Sequence, residues 1–385
     1  MTDQTATNKV SKTRTIFWPI FGIEHKKFLP MTFMIALILF IYTILRNMKD
    51  TLVVSSTGGS EVITALKLYA VLPSAIISFF IIAKLYNTFS REKVFYIIVT
   101  FFIAFFGIFT LILYPNQAFF EPTNSSAWLR EVLPQGKFYE NFINMYQYWS
   151  FSLFYIFSEL WGSIVASLLF WQFANSIVKV SEAKRFYAHF YLIANLATAL
   201  SGVMGQYYSK LGKAMPTEFE RYAVTVQYTC WTVVVLGILV LFLYRYLNTV
   251  IVNDSRLVSA AEAIPEKKKL KLSMWESLKF IFSSKYLGLI ALLVLSYGIS
   301  INIVEVAWKH EIHMLYPAKN DYNHYMSMYS MINGLATFVV ILIGSNVIRV
   351  LGWKVGALAT PIMLGVTGLL FFYFMIFDET VTPMA

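Results

Sequence analysis

Long apolar runs without a charge decide what this chain can fold into. Leu29 to Leu45 and Val94 to Leu113 contain no Asp, Glu, Lys, Arg or His, and an apolar run of roughly 18 or more residues crosses about 30 Å of hydrocarbon as an α-helix. Segments of this kind recur near 29–47, 66–83, 94–114, 148–171, 187–206, 223–244, 286–304, 326–346 and 355–377, so nine spans are expected. The strands of a membrane β-barrel would alternate apolar and polar residues, and the run FFIAFFGIFTLIL at 101–113 does not alternate. Composition agrees with helices in lipid. The chain is 58% hydrophobic and 14% charged, against roughly 45–50% and about 25% in soluble domains, which excludes a soluble globular protein. The fold class read from these runs is an all-α polytopic membrane protein.

The net charge of +10 could point to nucleic acid, but in a membrane protein basic residues first set orientation. With a cytoplasmic N-terminus, 21 of the 31 Lys and Arg fall on cytoplasmic segments and 10 on outer loops or span ends. No nucleic-acid partner is expected; the bilayer is. The lone Cys230 permits neither an internal disulfide nor a cysteine metal cluster. The first 15 residues are polar and show no cleavable signal.

The strongest shift in composition lies between the sixth and seventh segments, where Lys267, Lys268, Lys269 and Lys271 follow Pro265. The organisation expected is a cytoplasmic segment over 1–28, a six-span half over 29–244, a basic linker over 245–285 and three further spans over 286–385. Within the linker, LKLSMWESLKFIF at 270–282 mixes apolar and charged residues as a helix lying in the membrane interface would. Six spans, a basic loop and more spans suggest a major-facilitator-like plan with two six-span halves around a midplane site. That plan has twelve spans, so nine imply a partial chain.

Charges inside apolar segments are functional candidates by default, because a carboxylate or ammonium in hydrocarbon costs several kcal/mol unless paired or wet. Glu159 lies mid-segment in FSLFYIFSELWGSIVASLLFW; the competing reading is a structural carboxylate bonded to a neighbouring helix. Arg46 and Lys49 share a helical face and could hold a polyanion, or could snorkel to headgroups. Glu305 and Asn302 share a face three residues apart, and an amide with a carboxylate can read a polar ring edge; capping of the span end is the alternative. The HEIH run at 310–313 lacks the paired histidines of a zinc motif. No metal, cofactor or catalytic constellation is expected, and the chain does not read as an enzyme.

Several stretches resemble the ATP/ADP translocase family of plastids and obligate intracellular bacteria, the TLC nucleotide transporters. They are WPIFGIEHKKFLPM at 18–31, LRNMKDTLVV at 45–54, SELWGSIVASLLFWQFAN at 158–175, SEAKRFY at 181–187, YGISINIVEVAWK at 297–309 and IGSNVIRVLGW at 343–353. The resemblance implies a major-facilitator-like fold and exchange of external ATP for internal ADP, with phosphate as a further substrate. It also implies that the lysine of LRxxKD, the glutamate of ELWGS and the glutamate of INxxE are needed for transport, which are Lys49, Glu159 and Glu305 here. A later lysine, in an FDxxKEMAYIPL-like segment, has no counterpart in this sequence.

Polyphosphate needs cations in place of its water. Lys49 with Arg46 is therefore expected to bind phosphate and Asn302 to contact the base, while Glu159 and Glu305 pair with cations in the empty site or act in gating. Three alternatives stay open: import of other ribonucleotides or NAD with or without protons, proton symport of an unrelated solute using Glu159, and a non-transporting binding or assembly role. A bacterial inner membrane is the expected location, since about 28 residues before the first span leave little room for a plastid transit peptide.

Overall fold

A computed structural model describes residues 20–56, 59–254, 257, 279–280 and 283–377, with the backbone alone at 344–351, 353 and 356. Among the described residues there are nine helices long and apolar enough to cross a membrane, and no strand. They are α1 (Gly22–Val54), α2 (Glu61–Thr88), α3 (Arg91–Leu113), α4 (Trp149–Ile177), α5 (Val180–Gly212), α6 (Glu218–Ile251) and α7 (Lys285–Leu315), followed by α8 (Lys319–Leu351) and α9 (Trp353–Ile376). The helices outrun the apolar segments that predict them. α1 starts before residue 29, and α7 continues ten residues past Glu305. The expected interfacial helix at 270–282 lies almost wholly outside the described residues.

Local chemistry fixes the helix ends. Ser90 accepts from the Lys93 N–H at the start of α3, and Ser284 does the same from Leu287 at the start of α7. Thr217 and Glu220 form a reciprocal capping box on α6. Gly352, at φ +84°, makes the turn between α8 and α9, a left-handed conformation that favours glycine.

Among the described residues four spans widen into π turns: α3 over Phe109–Leu113 and α6 over Leu247–Ile251, at their ends, and α2 and α4 internally. α2 does so over Lys67–Val71, where Pro73 has no N–H to return to the Tyr69 carbonyl. α4 does so over Trp161–Leu169, directly after Glu159, with the Ser167 hydroxyl donating to the Gly162 carbonyl at 2.9 Å. Such widened turns concentrate at functional sites.

α1 to α6 enclose one continuous apolar core running from Ile20 to Leu257. Trp161 anchors it, fully buried, with its indole N–H donating to the Ile38 carbonyl at 3.1 Å. At one end of the bundle, Glu24 and Arg185 pair through two hydrogen bonds, and the buried Lys27 reaches Glu182 at 2.6 Å and the Leu257 carbonyl at 3.0 Å. The matching stretches at 18–31 and 181–187 thus meet as a buckle between α1 and α5, for which the sequence supplied no role. Large apolar side chains such as Phe79, Phe80, Leu293 and Leu295 face outward, as the lipid side of a span must.

The other end is where α7 and α8 join the first six helices. A second, smaller core gathers Val54, Ile63, Tyr155, Ile312, Tyr322 and Met326 there. α8 lies along α5 at backbone contact: a Cβ on Gly202 would meet the Met331 nitrogen and the Ser327 carbonyl, and one on Gly334 would meet Ala199. Polar bonds stitch the seam. Asn320 donates to the Ser209 carbonyl at 2.7 Å and accepts from Thr225 at 2.8 Å, and Asn323 donates to the Ser209 hydroxyl at 3.0 Å.

Gly202→Val is expected to prise α5 from α8, because the obstacle is backbone and overpacking of this kind costs about 1–3 kcal/mol. Ser327 is 1% exposed. Maleimide labelling of a Ser327→Cys variant should therefore rise several-fold when Gly202→Val is added, and an unchanged rate would show that the seam yields elsewhere. Cys230 is fully buried and should not contribute signal.

Candidate functional site

The end of α1 and the middle of α7 bring a chain of opposite charges into the seam. Lys49 lies 2.7 Å from Asp50 and 2.9 Å from Glu159 of α4. Asp50 also lies 2.7 Å from Lys309 of α7, which is 2.8 Å from Glu305 one helical turn back. Glu305 then takes Lys67 of α2 at 2.8 Å and Arg46 of α1 at 3.5 Å. Four cations and three carboxylates from α1, α2, α4 and α7 are thereby linked.

Burial grades along this chain. Lys49, Asp50 and Lys309 are essentially inaccessible, whereas the side chains of Glu159 and Lys67 are a quarter or more exposed and Arg46 nearly half. The Lys49 ammonium also sits 3.9 Å over the Tyr155 ring, which adds cation–π attraction where water is absent. A buried ion costs several kcal/mol of lost hydration, so the inner members hold their charge only because each has two opposite neighbours. The outer members remain accessible to an incoming anion.

Beside this chain, α1, α5 and α8 leave a cavity of about 200 Å³. Leu39, Tyr42, Thr43, Arg46 and Asn47 line it from α1, Asn195 and Thr198 from α5, and Met326, Tyr329, Ser330 and Asn333 from α8. Arg46 belongs to both features, lining the cavity and touching Glu305. Tyr42 leans on Gly162, where any Cβ would collide with its ring, so the small residue beside Glu159 makes room for a cavity wall.

The structure places all five sequence candidates within this one region. Lys49, Glu159, Glu305 and Arg46 enter the charge chain. Asn302 sits next to it, accepting from Lys67 at 2.8 Å and donating to the Gly298 carbonyl at 2.7 Å, so its amide is committed inside the protein. Three charged members carried no assignment in the sequence. Lys67 and Lys309 are among the ten basic residues assigned to outer loops or span ends, and Asp50 closes the LRxxKD motif; the helices extend past all of them. Spacings of four, Arg46–Asp50 and Glu305–Lys309, were an available signal, because each places opposite charges on one helical face. His310, Glu311 and His313 form no metal group, and none of three or more such ligands occurs among the described residues.

The family described as TLC ATP/ADP transporter matches residues 3–385. The chain is 42% identical over 383 residues to ADP,ATP carrier protein 1 of Chlamydia muridarum (strain MoPn / Nigg), covering 99% of this chain and 72% of that protein. It is 40% identical over 384 residues to ADP,ATP carrier protein 1 of Rickettsia prowazekii (strain Madrid E), covering 99% and 75%. It is also 40% identical over 384 residues to ADP,ATP carrier protein 3 of Rickettsia bellii (strain RML369-C), covering 96% and 75%. No solved structure shows significant similarity. With a polytopic helical fold, a seam of paired charges and a family match along nearly its whole length, this chain belongs to the TLC ATP/ADP transporter family.

Proposed function

We propose that the protein is a nucleotide exchanger of a bacterial inner membrane, taking up external ATP against internal ADP, with phosphate as an accompanying substrate, and leaving the phosphoanhydride bonds intact. The observation that carries this reading is the charge chain from Glu159 to Arg46, which ends at an open polar cavity between α1, α5 and α8. A nucleoside di- or triphosphate carries roughly three to four negative charges and needs guanidinium and ammonium groups to replace its water. Arg46 and Lys67 stand at the accessible end of the chain, both held by Glu305. Bound phosphate competes with Glu305 for them, and then with Asp50 and Glu159 for Lys49. The carboxylates thus keep the cations neutralised in the empty carrier.

Competition of this kind couples loading to movement, since a ligand shifts a conformational equilibrium only through its different affinity for the two states. The proposed halves are α1–α6 and the helices from α7 onward, closed here at the ends that carry the charge chain. With the basic linker and the N-terminus cytoplasmic, the closed end is the external one and the cavity awaits substrate from inside. The ADP,ATP carrier names of the chlamydial and rickettsial relatives support the substrate class.

Counter-exchange tests it. Liposomes holding the protein and preloaded with unlabelled ADP should take up labelled ATP, and empty liposomes should not. ATP uptake without internal ADP would replace exchange by uniport. Uptake abolished by a protonophore would favour proton coupling, and uptake of other nucleotides or NAD alone would keep the family role and change the substrate.

A further inference from the structure

Between α3 and α4 the chain leaves the bundle for a helical hairpin, Thr123–Val132 followed by Lys137–Gln147. Its polar side is closed within itself. The Arg130 guanidinium donates to Glu140 at 3.0 Å, to Gln147 at 3.0 Å and to Asn144 at 2.9 Å, which locks the two helices as one unit. The apolar side is open. Trp128 and Val132 stand four apart on the first helix, and Phe138, Phe142 and Tyr146 four apart on the second, so each helix carries one stripe. The Ser125 and Tyr146 hydroxyls, 3.2 Å apart, join the two stripes, since Ser125 lies three residues before Trp128 on the same face. Trp128, Val132 and Phe138 are each more than half exposed.

The hairpin is fastened to the lipid side of α2. Lys137, which opens the second helix, pairs with Glu61 at the start of α2 at 2.6 Å. The Phe138 and Phe142 rings then lie 6.2 and 5.0 Å from the Tyr69 ring, centroid to centroid. Tyr69 continues through Leu72, Ile76 and Phe80 as an outward stripe of α2, each residue about half exposed, the side that a span turns to lipid. We propose that the hairpin lies in the membrane–water interface, with Trp128, Val132 and Phe138 among the lipid headgroups and the Arg130 side toward water. With the N-terminus cytoplasmic, this is the outer leaflet.

The chemistry of the stripe selects a bilayer surface. Tryptophan and tyrosine collect at this level because an apolar ring with a polar edge suits the boundary better than either phase. A helix with one apolar and one polar side settles in that plane with its apolar side at the acyl boundary. Continuity with α2 favours lipid over a protein partner, because anything seated on Phe138 would also strip lipid from Tyr69 and Leu72. Charge plays little part. From Gln117 to Gln147 the cations are Arg130 and Lys137, against Glu121, Glu131 and Glu140, so anionic lipid gains no net attraction and apolar burial carries the attachment. Glu61 and Tyr69 flank Lys67, which donates to Glu305 at 2.8 Å. The stretch of α2 that the hairpin grips is thus the one that carries Lys67 into the charge chain.

Fluorescence quenching in phosphatidylcholine nanodiscs tests the placement. The full chain carries a bimane label on Trp128→Cys, Phe138→Cys or Thr123→Cys; Cys230 is fully buried and takes none. Thr123 is exposed and lies seven residues before Arg130, on its side of the first helix. Lipid spin-labelled at the headgroup should quench the probes at Trp128 and Phe138 several-fold more than the probe at Thr123, and acrylamide in the water several-fold less. Exchanging part of the phosphatidylcholine for phosphatidylglycerol should leave these ratios unchanged. If Phe138→Cys disturbs the contact with Tyr69, the exposed Trp128 position decides. Equal acrylamide quenching at Trp128 and Thr123 would put the hairpin in water, and shielding of Trp128 from both quenchers would put it under protein; either result overturns the proposal. Lipid quenching that appears only with phosphatidylglycerol would overturn the apolar basis of attachment.

Discussion

Lys49→Ala should lower ADP-dependent ATP uptake by about 100-fold, the scale of a lost charge-assisted hydrogen bond to phosphate. Lys49 is 1% exposed and lies between Asp50 and Glu159, so its removal has two separable consequences. It deletes the innermost cation available to phosphate, and it strands Glu159, which has no other ion-pair partner among the described residues. Adding Glu159→Gln to Lys49→Ala removes the stranded charge and should restore the melting temperature without restoring uptake. Lys49→Arg keeps the charge but brings a wider planar fork into a space closed by the Tyr155 ring at 3.9 Å. It should retain only part of the activity, because a point charge and a fork are not interchangeable at a fitted site. Recovery of uptake in the double variant would assign Lys49 to folding rather than to substrate.

Asp50→Asn should be the most destabilising single change in the charge chain. Asp50 is fully buried between Lys49 and Lys309, both of which are inaccessible as well. Breaking a buried pair from one side costs about 3–5 kcal/mol, since the partner's charge stays behind without water. Lys309→Met alone should also be costly, because Asp50 then keeps Lys49 as its one cation and Glu305 keeps only Lys67 and Arg46. Combined, the two substitutions should cost much less than their sum, since the remaining charges are again balanced. Apparent melting temperatures of the four proteins in detergent complete this cycle. Additive losses would mean that Asp50 and Lys309 do not stabilise one another despite their 2.7 Å separation. The double variant is expected to fold.

Both experiments turn on residues that the sequence reveals unevenly. Glu159 was visible because a carboxylate in the middle of an apolar run is anomalous wherever it lies. Lys49 and Glu305 were visible through the motifs LRxxKD and INxxE. Asp50, Lys67 and Lys309 were passed over for one shared reason: each lies where hydropathy fades, and hydropathy cannot separate a helix that ends from one that continues among buried charges. Lys309 is followed by six more helical residues and is 0% exposed, although its neighbours His310 and Glu311 suggest a wet surface.

Asn302 makes a contact that its sequence position does not reveal. Its spacing from Glu305 suggested a shared ligand, yet the two share Lys67 instead.

By itself the sequence determined that the chain lies in a membrane as α-helices, where each crosses, and which of its motifs mark the family. The reason is that lipid leaves the backbone few choices, so the lengths of apolar runs carry nearly all of that information. The tertiary structure decided which charges neutralise which, that α8 enters the first bundle along α5, and that α1, α5 and α8 leave a cavity between them. Those outcomes depend on Gly202 and Gly334 admitting backbone contact and on residues such as Asp50 and Lys309, distant in sequence, meeting at 2.7 Å. Ion pairing acts over a few ångströms in space, and spacing along the chain encodes only the pairs within one helix, such as Glu305 and Lys309.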